Sequence, residues 1–310
     1  MAELEVIESP DTIDIPKPSD LVQYNIIEPF QYLESDSKSR SVLLILNQNL
    51  DGINFQQIWN HTELKICADG GANQLFNSFQ LEEERCKYIP HFITGDFDSL
   101  TEPVKQYYQE RGSIIIKQAT QYATDFDKSL SLCKLYYHSS ESRSSIIVSH
   151  SNISTDNGLA DLENVYHIQS DEATLPIQIF ALGGIGGRFD QTIGSMHQLY
   201  KLSISAPYLH IYFITNSDLV LLLPRGKNYI SYASRNLWNQ QDLVPVCGLL
   251  PLGNQSVVLD TWGLKYDVRN YETDMFSRVS SSNGVCGSDG FIVHCTDPIV
   301  MNLVVDHHSI

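Results

Sequence analysis

The stretch HFITGDFDSL, His91 to Leu100, carries the plan of the chain in ten residues: a short apolar run, a glycine, then two carboxylates two positions apart. An apolar run of this length reads as a strand buried in a parallel sheet, and the glycine lets the backbone turn sharply at its end. The same grammar recurs outward in both directions. SVLLILN (Ser41 to Asn47) runs into Gln48, and LKICA (Leu64 to Ala68) runs into Asp69, Gly70 and Gly71. SIIIK (Ser113 to Lys117) leads toward Gln121 and Asp125. PIQIFALGG (Pro176 to Gly184) opens the glycine-rich loop Gly183 to Gly187, followed by Arg188, Asp190 and Gln191. HIYFIT (His210 to Thr215) closes the series. Helical spacing falls between the runs, around Phe55–Trp59, Gln74–Phe79, Val104–Arg111, Asp125–Tyr137 and Met196–Tyr200. Alternating strands and helices predict an α/β domain with a mainly parallel sheet over residues 21–215.

Beyond about Ser217 the texture changes. Short runs such as LVLLLP, VCGLLPL, GFIVHC and VMNLVV alternate with Gly, Pro, Asn and Asp, which predicts an all-β sandwich over residues 216–310. Residues 138–174 are rich in Ser, Asn and Asp and predict a mainly flexible insertion, with a short strand at Ile146–Val148. The first twenty residues hold six acids against one lysine and read as a mobile tail.

Composition narrows the function. The chain has 310 residues, 42% hydrophobic, and a formal charge of −17 from 20 basic and 37 acidic side chains. That balance opposes sequence-independent nucleic-acid binding, which requires a cation surplus. No apolar run reaches the roughly 18 to 20 residues of a membrane span. The N-terminus lacks a secretory or transit pattern, so the expected compartment is the cytosol. Six scattered cysteines without a C-x-x-C pair suggest neither a disulfide framework nor a zinc site.

In an open parallel sheet, ligands bind beyond the carboxyl ends of the strands. Asp69, Asp96, Asp98, Asp125 and Asp190 each follow an expected strand, so all five are directed to one rim. Clustered carboxylates repel one another unless a cation sits among them, and Mg²⁺ suits such hard oxygen donors. The glycines of GGIGGRFDQ could expose amides to phosphate, with Arg188 gripping it bidentately. The loop lacks the Gly-Lys-Ser/Thr ending of a P-loop. Lys128, one helical turn after Asp125, either contacts phosphate or pairs with that aspartate. Asp127 reads as a solvent-facing helix residue.

ADGGAN, GDFDSL, Gln121 three residues before TDF, Lys128, GGIGGRFDQ, CGLLPLG, TWGLKYDV and VSSSN occur in that order. In this order they resemble the thiamine pyrophosphokinase family, from Leu43 to nearly the C-terminus. The resemblance implies an α/β domain, a β-sandwich, and a homodimer with active sites between subunits. It also implies transfer of the terminal pyrophosphate of ATP to the hydroxyl of thiamine, giving thiamine diphosphate and AMP.

By the same resemblance Asp96, Asp98, Asp125 and Asp69 organise Mg²⁺. Gln121, Lys128, Arg188 and Asp190 surround the ATP phosphates, and Asn47 and Gln48 lie near the nucleotide. Ser280, Ser282 and Asn283 belong to the thiamine side. Tyr266 stands where the family usually has the tryptophan that covers thiamine from the partner subunit, and Trp262 either shares that role or packs in the sandwich. The residues alone also suit a metal-dependent nucleotide phosphohydrolase or a non-catalytic binding homologue.

Overall fold

The computed structural model describes residues 4–30, 40–168, 175–238, 244–253 and 255–305. Two short strands, β1 (Glu5–Glu8) and β2 (Tyr24–Ile27), precede the α/β part. That part runs β3 (Ser41–Ile45), α1 (Phe55–His61), β4 (Leu64–Ala68), α2 (Gly71–Asn77), α3 (Glu82–Arg85), β5 (Phe92–Gly95), α4 (Glu102–Glu110) and β6 (Ile114–Lys117). It continues through α5 (Asp125–His138), α6 (Ser140–Val148), α7 (His150–Ile153), α8 (Gly158–Val165), β7 (Ile177–Leu182), α9 (Phe189–Ser205) and β8 (Leu209–Ile214). The rest is strand: β9 (Asp218–Leu223), β10 (Gly226–Ser231), β11 (Val246–Leu250), β12 (Val257–Trp262), β13 (Tyr266–Arg269), β14 (Tyr271–Thr273), β15 (Ser280–Gly284), β16 (Gly290–Cys295) and β17 (Ile299–Val304). No described helix is long and apolar enough to cross a membrane.

The architecture has the expected class, an α/β part with a mainly parallel sheet followed by a β-rich part. The two parts share one sheet, however. Ten strands form it in the order β15-β11-β17-β9-β8-β7-β3-β4-β5-β6. The members from β8 to β6 pair in parallel, and β9 turns back antiparallel on β8 through Phe213↔Val220 and Ile214↔Leu219. The central strand β3 shows why its sequence is a continuous apolar run. Val42 and Leu44 join one core with α5 residues such as Leu130 and Cys133, while Leu43 and Ile45 join the other. Both faces of the strand are covered.

A second sheet, β14-β12-β16-β10-β2, packs over the antiparallel end and makes the sandwich. Its Ile230, Leu259, Phe291 and Val293 share a core with Leu221, Leu249, Met301 and Leu303 of the long sheet. The strand β2 pairs in parallel with β10. Residues 24–27 therefore belong to the sandwich sheet, not to the α/β part in which the sequence reading put them.

Two further expectations are corrected. The tail is tied down over its described part: β1 pairs antiparallel with β13, Ile13 N–H donates to Cys286 O at 2.9 Å, and Ile15 is buried. Its acids find cations, since Lys265 Nζ lies 2.9 Å from Asp11 and 3.4 Å from Glu8. The expected irregular insertion is mostly helix, α6 to α8, and Ile146–Val148 end a helix instead of forming a strand. Serines that read as loop formers act as caps. Ser139 Oγ accepts the Ser142 amide at 3.1 Å, and Ser142 Oγ donates to Leu135 O at 2.7 Å, fixing α6 to α5. The buried Gln118 completes the attachment, donating to Ile153 O at 2.6 Å and accepting the Leu159 amide at 2.8 Å. Residues 1–3 of the tail and 169–174 of the insertion lie outside the described residues.

Asp127 is also not the solvent-facing residue expected. It closes a capping box with Thr124 at the start of α5 and accepts Lys201 Nζ at 2.7 Å and Gln198 Nε2 at 3.0 Å from α9. Burial opposes its ionisation, but hydrogen bonds from Lys201 and Thr124 and the Lys201 charge outweigh burial and hold the carboxyl below its ordinary range. A depressed folded pKa makes this contribution complete above the unfolded value of about 3.9, and it is lost as pH falls through the lower folded value. Asp127→Ala should therefore lower the unfolding free energy by about 1–2 kcal/mol at neutral pH. The difference between variant and parent should narrow in urea titrations run below about pH 4.

Candidate active site

Three carboxylates meet at the C-terminal rim of the parallel strands. Asp69 follows β4, Asp96 follows β5, and Asp125 opens α5; one oxygen from each lies within 4.8 Å of the other two. Glycines make this approach possible. A Cβ on Gly95 would stand 2.7 Å from Asp69 Cβ and 3.1 Å from Asp125 Oδ1, and one on Gly71 would stand 2.2 Å from Ile45 O. Asp69 takes the left-handed conformation (φ 45°) and is held by the Ser99 and Leu100 amides at 3.1 and 3.2 Å. Asp96 accepts Gln121 Nε2 at 3.0 Å and the Asp98 amide at 3.1 Å, while its own amide donates to Asp125 Oδ1 at 3.2 Å.

Among the described residues one ammonium faces the acids. Lys128, buried, lies 2.9 Å from Asp125 and 3.6 Å from Asp96. The ion pair with Asp125 is thus present. Burial and then repulsion from Asp125 raise the Asp69 pKa, and burial raises that of Asp125 despite Lys128. For Asp96 burial acts in the same direction, but the Asp98 amide, Gln121 and Lys128 outweigh it and lower the pKa. Three carboxylates against one ammonium leave a negative surplus of hard oxygen donors. That donor set fits a divalent cation.

The remaining expected residues divide. Asp98 stands outside the triad, exposed, with its carboxylate accepting Ser99 Oγ at 2.8 Å. Arg188 and Asp190 lie at the start of α9, largely exposed, and bind each other at 3.1 and 2.5 Å. Asn47 accepts Gln74 Nε2 at 3.0 Å and crowds Gly70. Gln48 packs on the glycine-rich loop, since a Cβ on Gly187 would overlap its Oε1 and one on Gly183 would crowd its backbone. The loops after β3, β4 and β7 thus converge on one rim.

Tyr266, Ser280, Ser282 and Asn283 line a separate cavity of about 190 Å³. Asn283 accepts the Tyr266 amide at 3.0 Å and donates to its carbonyl at 2.9 Å, fixing the strand that carries the ring. Trp262 is not on the cavity wall and instead packs under the Arg269 guanidinium, 4.1 Å from the ring centroid. Sequence reasoning missed Val6, Thr261, Val268 and Tyr271 of this wall. The alternation of Tyr266 and Val268 could have flagged that face. A larger cavity of about 400 Å³, lined by residues such as Leu202, Ile211 and Leu221, contains none of the three acids.

The thiamin pyrophosphokinase catalytic-domain model matches residues 55–213, and the thiamin pyrophosphokinase vitamin B1 binding-domain model matches residues 237–300. The chain belongs to the thiamine pyrophosphokinase family. It is 38% identical to thiamine pyrophosphokinase of Saccharomyces cerevisiae over 97% of this chain and 96% of that protein. It is 30% identical to thiamine pyrophosphokinase 1 of Arabidopsis thaliana, over 81% of each. The solved thiamin pyrophosphokinase of Candida albicans superposes with a TM-score of 0.87 at 44% identity, covering 98% of this chain and 99% of that one. The acid triad falls inside the first match, and Tyr266, Ser280, Ser282 and Asn283 fall inside the second.

If the triad holds a divalent cation, removing one of its carboxylates should weaken that binding without unfolding the chain. Asp125→Asn is expected to lower Mn²⁺ affinity at least about 10-fold in calorimetry with an unchanged circular dichroism spectrum. In the parent chain, protons should begin to displace the cation above the ordinary aspartate value of about 3.9, because Asp69 and Asp125 are raised.

Proposed function

We propose that the acid triad and the thiamine-side cavity are the two halves of a pyrophosphoryl-transfer site. Family membership supplies the reaction: this is a thiamine diphosphokinase, converting ATP and thiamine to AMP and thiamine diphosphate. The observation that carries the site assignment is the convergence of Asp69, Asp96 and Asp125 within 4.8 Å beside the buried Lys128.

The hydroxyl oxygen of thiamine bonds to the β-phosphorus of ATP, and the bond from that phosphorus to the oxygen bridging toward the α-phosphorus breaks, releasing AMP. Mg²⁺ held by Asp69, Asp96 and Asp125 would neutralise phosphate charge that repels the hydroxyl. Lys128 tunes the charge of the acid cluster, and Gln121 holds the Asp96 carboxylate in place. Arg188, exposed and parked on Asp190, is free to exchange that carboxylate for a phosphate and to stabilise the charge developing in the transition state. Asp98, exposed and outside the triad, receives the hydroxyl proton and passes it to solvent. Asn47 and Gln48 border the nucleotide, and Tyr266, Ser280, Ser282 and Asn283 bind thiamine.

The sheet itself supports a homodimer. The cavity draws on β11 and β15 at one end of the long sheet, together with β1 and β12 to β14, while Asp69 and Asp96 follow β4 and β5 near the other end. From β11 to β4 is six strand steps and from β15 to β5 eight, about 29 to 38 Å along the sheet at ~4.8 Å per step. A rigid chain cannot bring its own two halves together, whereas two copies related by a two-fold axis can each complete the other.

AMP should appear from ATP only when thiamine is added, and Asp96→Asn should lower kcat at least about 100-fold with the fold retained. AMP release without thiamine would contradict the reading. Mixing Asp96→Asn with a cavity variant such as Ser282→Trp, each inactive alone, should restore about a quarter of the parent activity after random subunit exchange, since half the dimers carry one intact site. No recovery in confirmed mixed dimers would place both halves in one subunit.

A further inference from the structure

The N-terminal strand β1 lies against the thiamine-side cavity, although its sequence reads as a tail. In its register with β13, Val6 faces Val268 and Glu8 faces Tyr266. Side chains two apart on a strand share a face, so these four point the same way. Val6, Val268 and Tyr266 line the cavity. All four residues of β1 are exposed, Val6 by 56%, so the strand is not held there by burial in the core. It is held by its ladder to β13 and by contacts beyond its end. Ser9 N–H donates to Lys265 O at 2.8 Å, its hydroxyl donates to Asp267 Oδ2 at 3.3 Å, and the Ser288 amide donates to Ile13 O at 3.0 Å.

The cavity wall has hydroxyls, aromatic rings and aliphatic side chains but, among the described residues, no carboxylate. The nearest acid in register on the same face is Glu8. Its surface ion pair with Lys265, at 3.4 Å, is the longer of two, because Lys265 is 2.9 Å from Asp11. Exposed pairs of this kind are weak, and Lys265 keeps a partner when Glu8 leaves. Glu8 can therefore turn toward a cationic ring beside Tyr266 at little cost.

We infer that β1 is a specificity element of the thiamine site, with Glu8 recognising the positive charge of the thiazolium and Val6 forming an apolar wall against the bound ring. The inference rests on the proposed assignment of this cavity to thiamine.

The test uses the full-length chain with Glu8→Gln and Val6→Trp, thiamine, and a neutral analogue in which thiophene replaces the thiazolium. Glu8→Gln should raise the KM for thiamine about 3- to 10-fold, leave the KM for ATP alone, and leave affinity for the neutral analogue unchanged. Glu8→Asp should recover part of the loss. Val6→Trp should weaken thiamine and the neutral analogue alike, again sparing ATP. Equal weakening of both ligands by Glu8→Gln would reduce the strand to a structural role, and an unchanged KM for thiamine would remove Glu8 from recognition; either result overturns the inference. If the unsubstituted chain forms no thiamine-dependent AMP, the reaction is wrong rather than the subsite, and the same comparison by calorimetric binding decides on Glu8.

Discussion

Three carboxylates held within 4.8 Å of one another impose the strictest condition on this molecule. Left alone they would separate, because each raises the cost of ionising the next. Rigid strand ends prevent that: Asp69 is pinned by two loop amides, Asp96 by Gln121, and Asp125 by the first turn of α5. The glycines at positions 71 and 95 are a consequence, since a side chain there would force apart the backbone segments that bring the acids together. Lys128 offsets part of the repulsion from within and leaves a surplus of negative charge on hard oxygen donors.

The second governing feature is the joint between β8 and β9. Antiparallel pairing there lets one sheet run through both parts of the chain, so the position of the sandwich is fixed relative to the acid rim. Continuity keeps the acid rim and the β11–β15 end of the sheet apart within one chain. The second sheet, with β2 recruited from before the α/β part, covers the antiparallel end, and its β12 and β14 line the cavity together with β11 and β15.

Much of this was legible because its cause is local. Continuous apolar runs such as Ser41–Ile45 and Ile177–Leu182 announce strands covered on both faces, and a carboxylate after such a run must lie at the rim. The failures share another cause. Ser139 and Ser142 look like loop residues until Leu135 O and the start of α6 come within reach. Asp127 looks solvated until Lys201, 74 positions away, packs beside it. The N-terminal acids look like a disordered tail until Lys265 is brought to them.

The sequence by itself determined the alternation of strands and helices, the side of the sheet on which the acids fall, and the ordered motifs that resemble the family. Those properties follow from periodicity and from chain direction, which a one-dimensional string contains. Only the tertiary structure decided which acids meet, because Asp98 and Asp96 differ by two positions in sequence yet a single turn separates an exposed carboxylate from a member of the triad. It also decided that Lys128 pairs with Asp125, that Trp262 packs under Arg269, and that β1 borders the cavity beside Tyr266. Each depends on distances between segments far apart in the chain, and those are set by how the sheets pack.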